Sequence, residues 1–400
     1  MKKTLIASAA CLACAGAWAQ VTLYGIVDAG VTHVSGLAGG SKTQLNSGIM
    51  EGSRWGLKGQ EDLGGGFKAL VTLESRLETD TGAVNNRPAS GSQLPDRLTA
   101  GLPPAVAAGV NGAIGPTLGV NLDSRGFDRQ SWLGLITPVG GFLMGRQYTP
   151  AYETLATFDS MGTQSSLSVG QLVTIPAGMD IRYDDSLQYR IVQGPWNAAL
   201  MTSFPGGASS SSKRLLGLNT IYKGSGFQAG FGYNTKKNSA SQKSLTSTIL
   251  GASTTQGAFT LSGMWARIQE PNPSSGPELT AGLTAAGVPA VLVSNVIDRL
   301  KQDGNLMHVG LRYQMGSAGH ITVAVNKFND KRATNADVTS YGVAYTYPLS
   351  KRTNLNMVLT RYANSTNAQT APGGNGYLGG VTATAGRDST SVAFGIRHAF

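Results

Sequence analysis

Apolar and polar residues alternate with a two-residue period through stretch after stretch of this chain, and beyond its first residues nothing is apolar for long enough to form a membrane helix. At 391–400, Val392, Phe394, Ile396, His398 and Phe400 take one face and Ser391, Ala393, Gly395, Arg397 and Ala399 the other. At 307–315, Met307, Val309, Leu311, Tyr313 and Met315 oppose His308, Gly310, Arg312 and Gln314. The same pattern recurs at 227–234 and 339–349, and at 181–191 with Asp185 as its exception. Such alternation specifies strands lying between two unlike environments. A soluble sandwich buries the apolar row and wets the polar one; a closed barrel in lipid reverses the two. Periodicity alone leaves both architectures open.

The connections favour the barrel, because they alternate in length. Short Gly-, Pro- or Ser-bearing turns fall at 63–66, 138–141, 193–195, 223–226, 255–257, 316–319 and 349–351. Longer connections fall near 35–50, 80–126, 149–180, 205–213, 235–243, 270–304, 329–337 and 363–388. Seven short turns and eight long loops join sixteen strands, with both termini at the short-turn end. The expected fold is therefore all-β: a 16-stranded antiparallel transmembrane barrel with short turns on the periplasmic side and long loops outside. A barrel of that size keeps an aqueous channel. Two loops are expected to carry structure of their own, a short helix or packed insertion within 97–120 and an amphipathic helix within 279–301.

The chain opens with Lys2 and Lys3, an apolar run from Leu5 to Gly16, and Ala17-Trp18-Ala19 before Gln20. This reads as a secretory signal peptide, residues 1–19, cleaved to leave one barrel domain over 20–400. Both cysteines, Cys11 and Cys14, fall inside that leader, so the mature chain is expected to carry no disulfide and no cysteine-ligated metal. The formal charge of +10 would point a soluble protein toward nucleic acid. Here the basic residues are spread along alternating strands without an aromatic stacking pattern, so a nucleic-acid partner is not expected.

An enzyme would need a nucleophile or activated water beside a base. His33, His308, His320 and His398 fall on different strands or turns, with no nucleophile elbow and no zinc or calcium spacing. No catalytic residue, cofactor or metal is assigned. An adhesin barrel is the competing class, and ion conductance separates it from a channel.

Several segments are specific enough to point to a family. Val21-Thr22-Leu23-Tyr24-Gly25-Ile26-Val27-Asp28, Gly52-Ser53-Arg54-Trp55-Gly56-Leu57-Lys58-Gly59, Glu61-Asp62-Leu63-Gly64-Gly65-Gly66-Phe67-Lys68-Ala69, Ile181-Arg182-Tyr183-Asp184-Asp185-Ser186 and Gly395-Ile396-Arg397-His398-Ala399-Phe400 resemble the Gram-negative trimeric general porins of the β-proteobacterial type. The resemblance runs through the whole mature chain. It implies a homotrimer in outer-membrane lipid, each barrel passing small hydrophilic solutes and inorganic anions down their gradients. A channel specific for one substrate is the alternative within that class.

In such porins the third long loop folds into the barrel and narrows it. Here that loop is about 149–180, with Glu153 and Asp159 as its acids. The family sets basic side chains on the wall opposite, and three positions match its motifs: Arg54, Arg129 and Arg182. The residues themselves place Arg54 and Arg182 on the polar sides of their strands, while Trp132 and Leu133 leave the facing of Arg129 open. Lys58 and Arg76 are second candidates for the lumen, with Glu74, Glu78 and Asp184 moderating their field. Guanidinium groups remain charged across the physiological pH range, so such a cluster would concentrate anions in a narrow channel. An acidic loop opposite would add a transverse field.

Overall fold

A computed structural model describes residues 20–162, 165–204, 206, 213–373 and 379–400. The expected leader, 1–19, lies outside the described residues. Seventeen strands form one sheet closed on itself. The first are β1 (Gln20–Leu37), β2 (Gly40–Ser47), β3 (Arg54–Gly64), β4 (Phe67–Arg76), β5 (Gln130–Thr137) and β6 (Gly140–Tyr148). Then come β7 (Arg182–Gln193), β8 (Trp196–Ser203), β9 (Leu215–Lys223), β10 (Phe227–Lys237), β11 (Lys243–Gln256) and β12 (Phe259–Glu270). The circuit ends with β13 (Gln302–Gln314), β14 (His320–Asp330), β15 (Val338–Pro348), β16 (Thr353–Asn364) and β17 (Ser389–Ala399).

Seventeen strands make sixteen staves, because β2 and β3 share one position. β1 pairs with β17 along one edge and, along the other, with β2 through Ala29 opposite Ser47 and with β3 through Ile26 opposite Arg54. Residues 48–53 interrupt that stave. The outer connection expected at 35–50 is consequently not a loop. β1 turns into β2 at Ala38 and Gly39, where Gly39 and Gly40 take φ of 83° and 102°, a left-handed backbone that glycine adopts without strain. All seven short turns join consecutive strands at the expected places. Closure is completed by Gly25 and Phe400, whose backbone groups exchange hydrogen bonds of 3.2 and 3.0 Å.

The direction of burial decides between the two architectures the periodicity allowed. On β13, His308 is 1% exposed and Val309 is 59% exposed. Apolar side chains line the outside and polar ones the inside, the reverse of a soluble sandwich. At the short-turn rim, Phe142 packs on Tyr189, Trp196 on Tyr222 and Phe259 on Tyr313, with ring centroids 4.7 to 5.1 Å apart. This is the aromatic girdle of a lipid-embedded barrel. No described helix is long and apolar enough to cross a membrane.

Among the described residues four α-helices decorate the loops: α1 (Pro104–Ile114), α2 (Pro150–Phe158), α3 (Gly276–Ala285) and α4 (Ala290–Leu300). The single helix expected at 279–301 is two, because Gly287 takes φ 75° after α3 and Pro289 precedes the first residue of α4.

Candidate functional site

The loop between β6 and β7 turns inward at its first residue. The Thr149 side chain accepts from the Tyr152 amide at 3.4 Å and Pro150 opens α2, a helix start that also redirects the chain into the barrel. The helix lies directly on the inner surface because the strands beneath it carry glycine. A Cβ on Gly251 would stand 2.3 Å from the Phe158 ring, one on Gly230 2.7 Å from it, and one on Gly232 2.4 Å from Thr154 Oγ1. These glycines occupy inward positions of β10 and β11, where any side chain would hold the helix off the sheet.

Beyond α2 the loop is irregular, so its backbone needs partners, and inward polar side chains supply them. His308 Nε2 accepts from the Ser160 amide at 3.0 Å, and Asn326 Nδ2 donates to the Leu167 carbonyl at 2.8 Å. The Tyr362 hydroxyl donates to the Ser166 carbonyl at 2.6 Å and Gln302 Nε2 to the Ala177 carbonyl at 3.0 Å. Apolar residues of the loop, Leu155, Phe158, Val169 and Leu172, share a buried cluster with Ile249, Ile268 and Leu306 of the wall. The described residues of 149–181 are thus fastened inside the barrel against β9 to β16.

The opposite wall carries the basic residues. Arg54, Arg129 and Arg182 meet through two intermediaries. Glu74 accepts from Arg129 Nε at 2.8 Å and lies 3.5 Å from Arg54 Nε; the Tyr148 hydroxyl accepts from Arg129 at 3.0 Å and from Arg182 at 2.9 Å. The Arg182 guanidinium also lies over the Tyr148 ring, 4.5 Å from its centroid. Arg54 bonds Glu51 at 2.9 Å, and Glu51 reaches Arg397 of the last strand, so the network closes across the seam of the barrel.

The facing of Arg129, open in the sequence, has a plain geometry. Gln130 and Trp132 stand opposite Glu74 and Thr72 and face inward, while Leu133 faces out. Arg129 precedes the strand, where alternation no longer governs it, and its side chain swings inward to Glu74. Asp185, the exception to the pattern of β7, takes φ 50° at a register shift opposite Gly145 and Gln147.

The second-rank candidates differ from each other. Arg76 is held by Glu78 at 2.8 Å with Asp128 at 3.7 Å, whereas Lys58 has no carboxylate contact among the described residues and sits 4.3 Å above the Tyr24 ring. The loop acids do not stand free opposite this wall. Glu153 is bound by Arg190 at 2.6 Å and by Asn219 at 3.2 Å, and Asp159 faces into the loop, accepting from Ser168 Oγ at 2.6 Å and the Met161 amide at 3.0 Å. A free acidic surface to set a transverse field is therefore not what the loop presents. Asp184 is occupied at the rim by Arg125 and Arg146.

Sequence reasoning passed over Tyr148, Glu51, Arg190 and Arg312. Only Arg190 and Arg312 had a readable signal, their place on the polar rows of their strands; the other two act through contacts that no local pattern encodes. Arg312 donates to the Ser160 carbonyl at 2.6 Å and has no ion pair among the described residues. The four histidines do not meet: His33 and His398 bond threonines near the outer and inner rims, and His308 holds the loop.

Comparison with known proteins follows the same lines. The Gram-negative porin family matches residues 7–368. The outer membrane porin protein 32 of Delftia acidovorans is 27% identical over the whole of both chains. Among solved structures, an anion-selective porin from Comamonas acidovorans superposes with a TM-score of 0.72 at 23% identity, covering 96% of this chain and 100% of that one. The trimer form of OmpT of Vibrio cholerae superposes at 0.59 with 13% identity, over 96% of this chain and 99% of the other.

Proposed function

Because this chain belongs to the Gram-negative porin family, and is an outer-membrane channel, we propose that it prefers anions, that Arg54, Arg129 and Arg182 line its narrowest part opposite the 149–180 loop, and that it works as a homotrimer after removal of residues 1–19. The solutes are small, hydrophilic and driven by their own gradients, with inorganic anions favoured. No covalent step and no energy input enter.

One observation carries the preference. Among the described residues Lys58 and Arg182 stand in the lumen without a carboxylate partner, whereas Glu74 and Glu153 are each paired with an arginine and Asp159 is turned into its own loop. Positive charge is left over on the wet side of the channel, and a channel with low-dielectric walls turns that excess into a raised anion concentration. The name of the Comamonas porin, anion-selective, agrees with this reading, and the trimer form of the Vibrio protein agrees with the proposed assembly.

Reversal potentials in planar bilayers under a salt gradient test it. Wild type should show the anion sign, in conductance steps grouped by three, and Arg182→Ala with Lys58→Ala should move the potential toward zero. A cation-signed potential overturns the preference. Absence of conductance in a folded protein would move the chain to a plugged adhesin barrel.

A further inference from the structure

Three outer connections meet the inner loop at one small cavity. Arg97 comes from the connection between β4 and β5, Arg332 from that between β14 and β15, and Gln369 and Thr370 from that between β16 and β17. Gln302, the first residue of β13, completes its polar side, and the inner loop closes it with apolar residues such as Leu172 and Val173. The cavity holds about 30 Å³, about twice the room that one water needs. No carboxylate lines it among the described residues.

Two guanidinium groups do line it, and only one of them has a counter-charge. Arg332 is paired with Asp330, donating to it from Nε at 2.8 Å and from Nη2 at 2.9 Å. The same carboxylate also accepts from the Thr334 hydroxyl and the Ala336 amide, both at 3.0 Å. Arg97 has no ion pair among the described residues. Its Nη2 donates to the Ile175 carbonyl at 3.4 Å, and its Nε is shut off from solvent without a partner. Loss of hydration, with Arg332 beside it, pulls the Arg97 guanidinium down to about 10.

The neutral groups around the cavity are spoken for. Gln302 Nε2 donates to the Ala177 carbonyl and to Glu270, while Gln369 accepts from the Asp96 amide and donates to the Thr382 carbonyl. Glu270 and Asp337, close by in the fold, have partners of their own in Ser244 and Lys327. One positive charge is therefore left over at the cavity, between apolar walls that strengthen its field. A water could accept from Nε, yet it would leave that charge unbalanced.

We propose that this cavity binds a small monovalent anion, a halide such as chloride, between Arg97 Nε and Arg332. A single free N–H beside a second cation suits a spherical ion, whereas a tetrahedral oxyanion calls for several donors. The ion is structural: it fastens the 80–126 loop to the inner loop and to the connection after β14. It lies apart from Arg54, Arg129 and Arg182, and the proposal stands whether or not the barrel conducts.

The test measures thermal unfolding of the detergent-solubilised full chain while chloride or bromide replaces gluconate at constant ionic strength. The wild-type midpoint should climb with halide concentration, as for any ligand that binds only the folded state. Halide also collects at the arginines of the lumen, so the decisive quantity is the slope in Arg97→Gln, expected to be at least about twofold smaller. An unchanged slope in the folded variant overturns the site. Wild-type crystals soaked in bromide give an answer that needs no variant: an anomalous peak within hydrogen-bond reach of Arg97 Nε is expected. Bromide found only in the lumen, with water in the cavity, overturns the proposal.

Discussion

The strands before the inner loop and the strands after it line one lumen with opposite chemistry. β3 to β7 present Arg54, Lys58, Glu74, Arg76 and Arg182; β9 to β16 present mainly glycines, amides and hydroxyls, among them Gly230, Gly251, Asn219, Asn326 and Ser340, and the two cations Arg312 and Lys236 there are bound to oxygens of the loop. What each wall faces accounts for the difference. An irregular loop backbone demands neutral donors and acceptors at fixed places, plus bare backbone where a helix must approach closely. Water makes no such demand and solvates charge. The barrel is therefore two half-walls, one built to hold a plug segment and one to remain wet.

The largest expected effect breaks the holding wall. Gly251→Leu forces side-chain atoms into the space of the Phe158 ring, which already lies 2.3 Å from where a Cβ would stand. Overpacking of that kind costs about 1–3 kcal/mol, or displaces the helix instead. Thermal unfolding of the detergent-solubilised protein should shift down, and open-channel noise should rise as the loop loosens. Gly263→Ala is the control, since its Cβ would meet nothing nearer than 3.9 Å and should be silent. Equal behaviour of the two variants would show that the glycine landing strip does not position the loop.

On the wet wall the strongest change is Glu74→Gln. It leaves Arg129, 5% exposed, without its carboxylate, and removing one partner of a buried pair costs about 3–5 kcal/mol. The same substitution adds one positive charge to the lumen. A unit charge about 6 Å from a passing ion in a water-like medium is worth about 0.7 kcal/mol, reduced by salt. Anions gain what cations lose, so the permeability ratio should move about threefold toward anions. Arg182→Ala should move it by a similar factor the other way, without a comparable loss of stability, because Arg182 has no carboxylate among the described residues to leave behind. Reversal potentials and urea titrations read the two quantities separately.

How far each wall could be read from sequence follows from the same physics. Alternation on β7, β10, β13 and β15 needs only neighbouring residues, so the strands, their inward rows and the short turns were legible, Arg54 and Arg182 among them. The landing of the loop was not. Gly230, Gly232 and Gly251 look like any polar-row glycines until Phe158 and Thr154 arrive from another part of the chain. Glu74 was visible as an inward acid, but its place between Arg54 and Arg129 depends on a turn preceding β5 that has no periodic signal. The break at 48–53 resembled a loop for a similar reason: polar, glycine-bearing residues mark an interrupted strand as readily as a loop. In 279–301 the apolar spacing was continuous enough to suggest one helix, and the backbone demands of Gly287 and Pro289 divided it.

The finest distinction on the wet wall is between a charge and the ring beneath it. Lys58 lies over Tyr24, whose hydroxyl donates to Glu74 at 3.0 Å, so the ammonium could act directly on ions or only through the network below. Tyr24→Phe keeps the ring and loses the hydrogen bond, an expected cost of about 1.5–3 kcal/mol for a bond to a charged acceptor. It leaves the charge of Lys58 in place. Lys58→Ala removes that charge and leaves Glu74 with Arg54 and Arg129. The first variant should lower stability slightly with an unmoved reversal potential, and the second should do the reverse, with a shift smaller than that of Arg182→Ala because Lys58 stands further down β3 from the arginines. If Tyr24→Phe instead shifts the potential as far as Lys58→Ala, selectivity depends on how Glu74 is oriented. The wet wall would then be a connected unit like the wall that holds the loop, and not a set of separate charges.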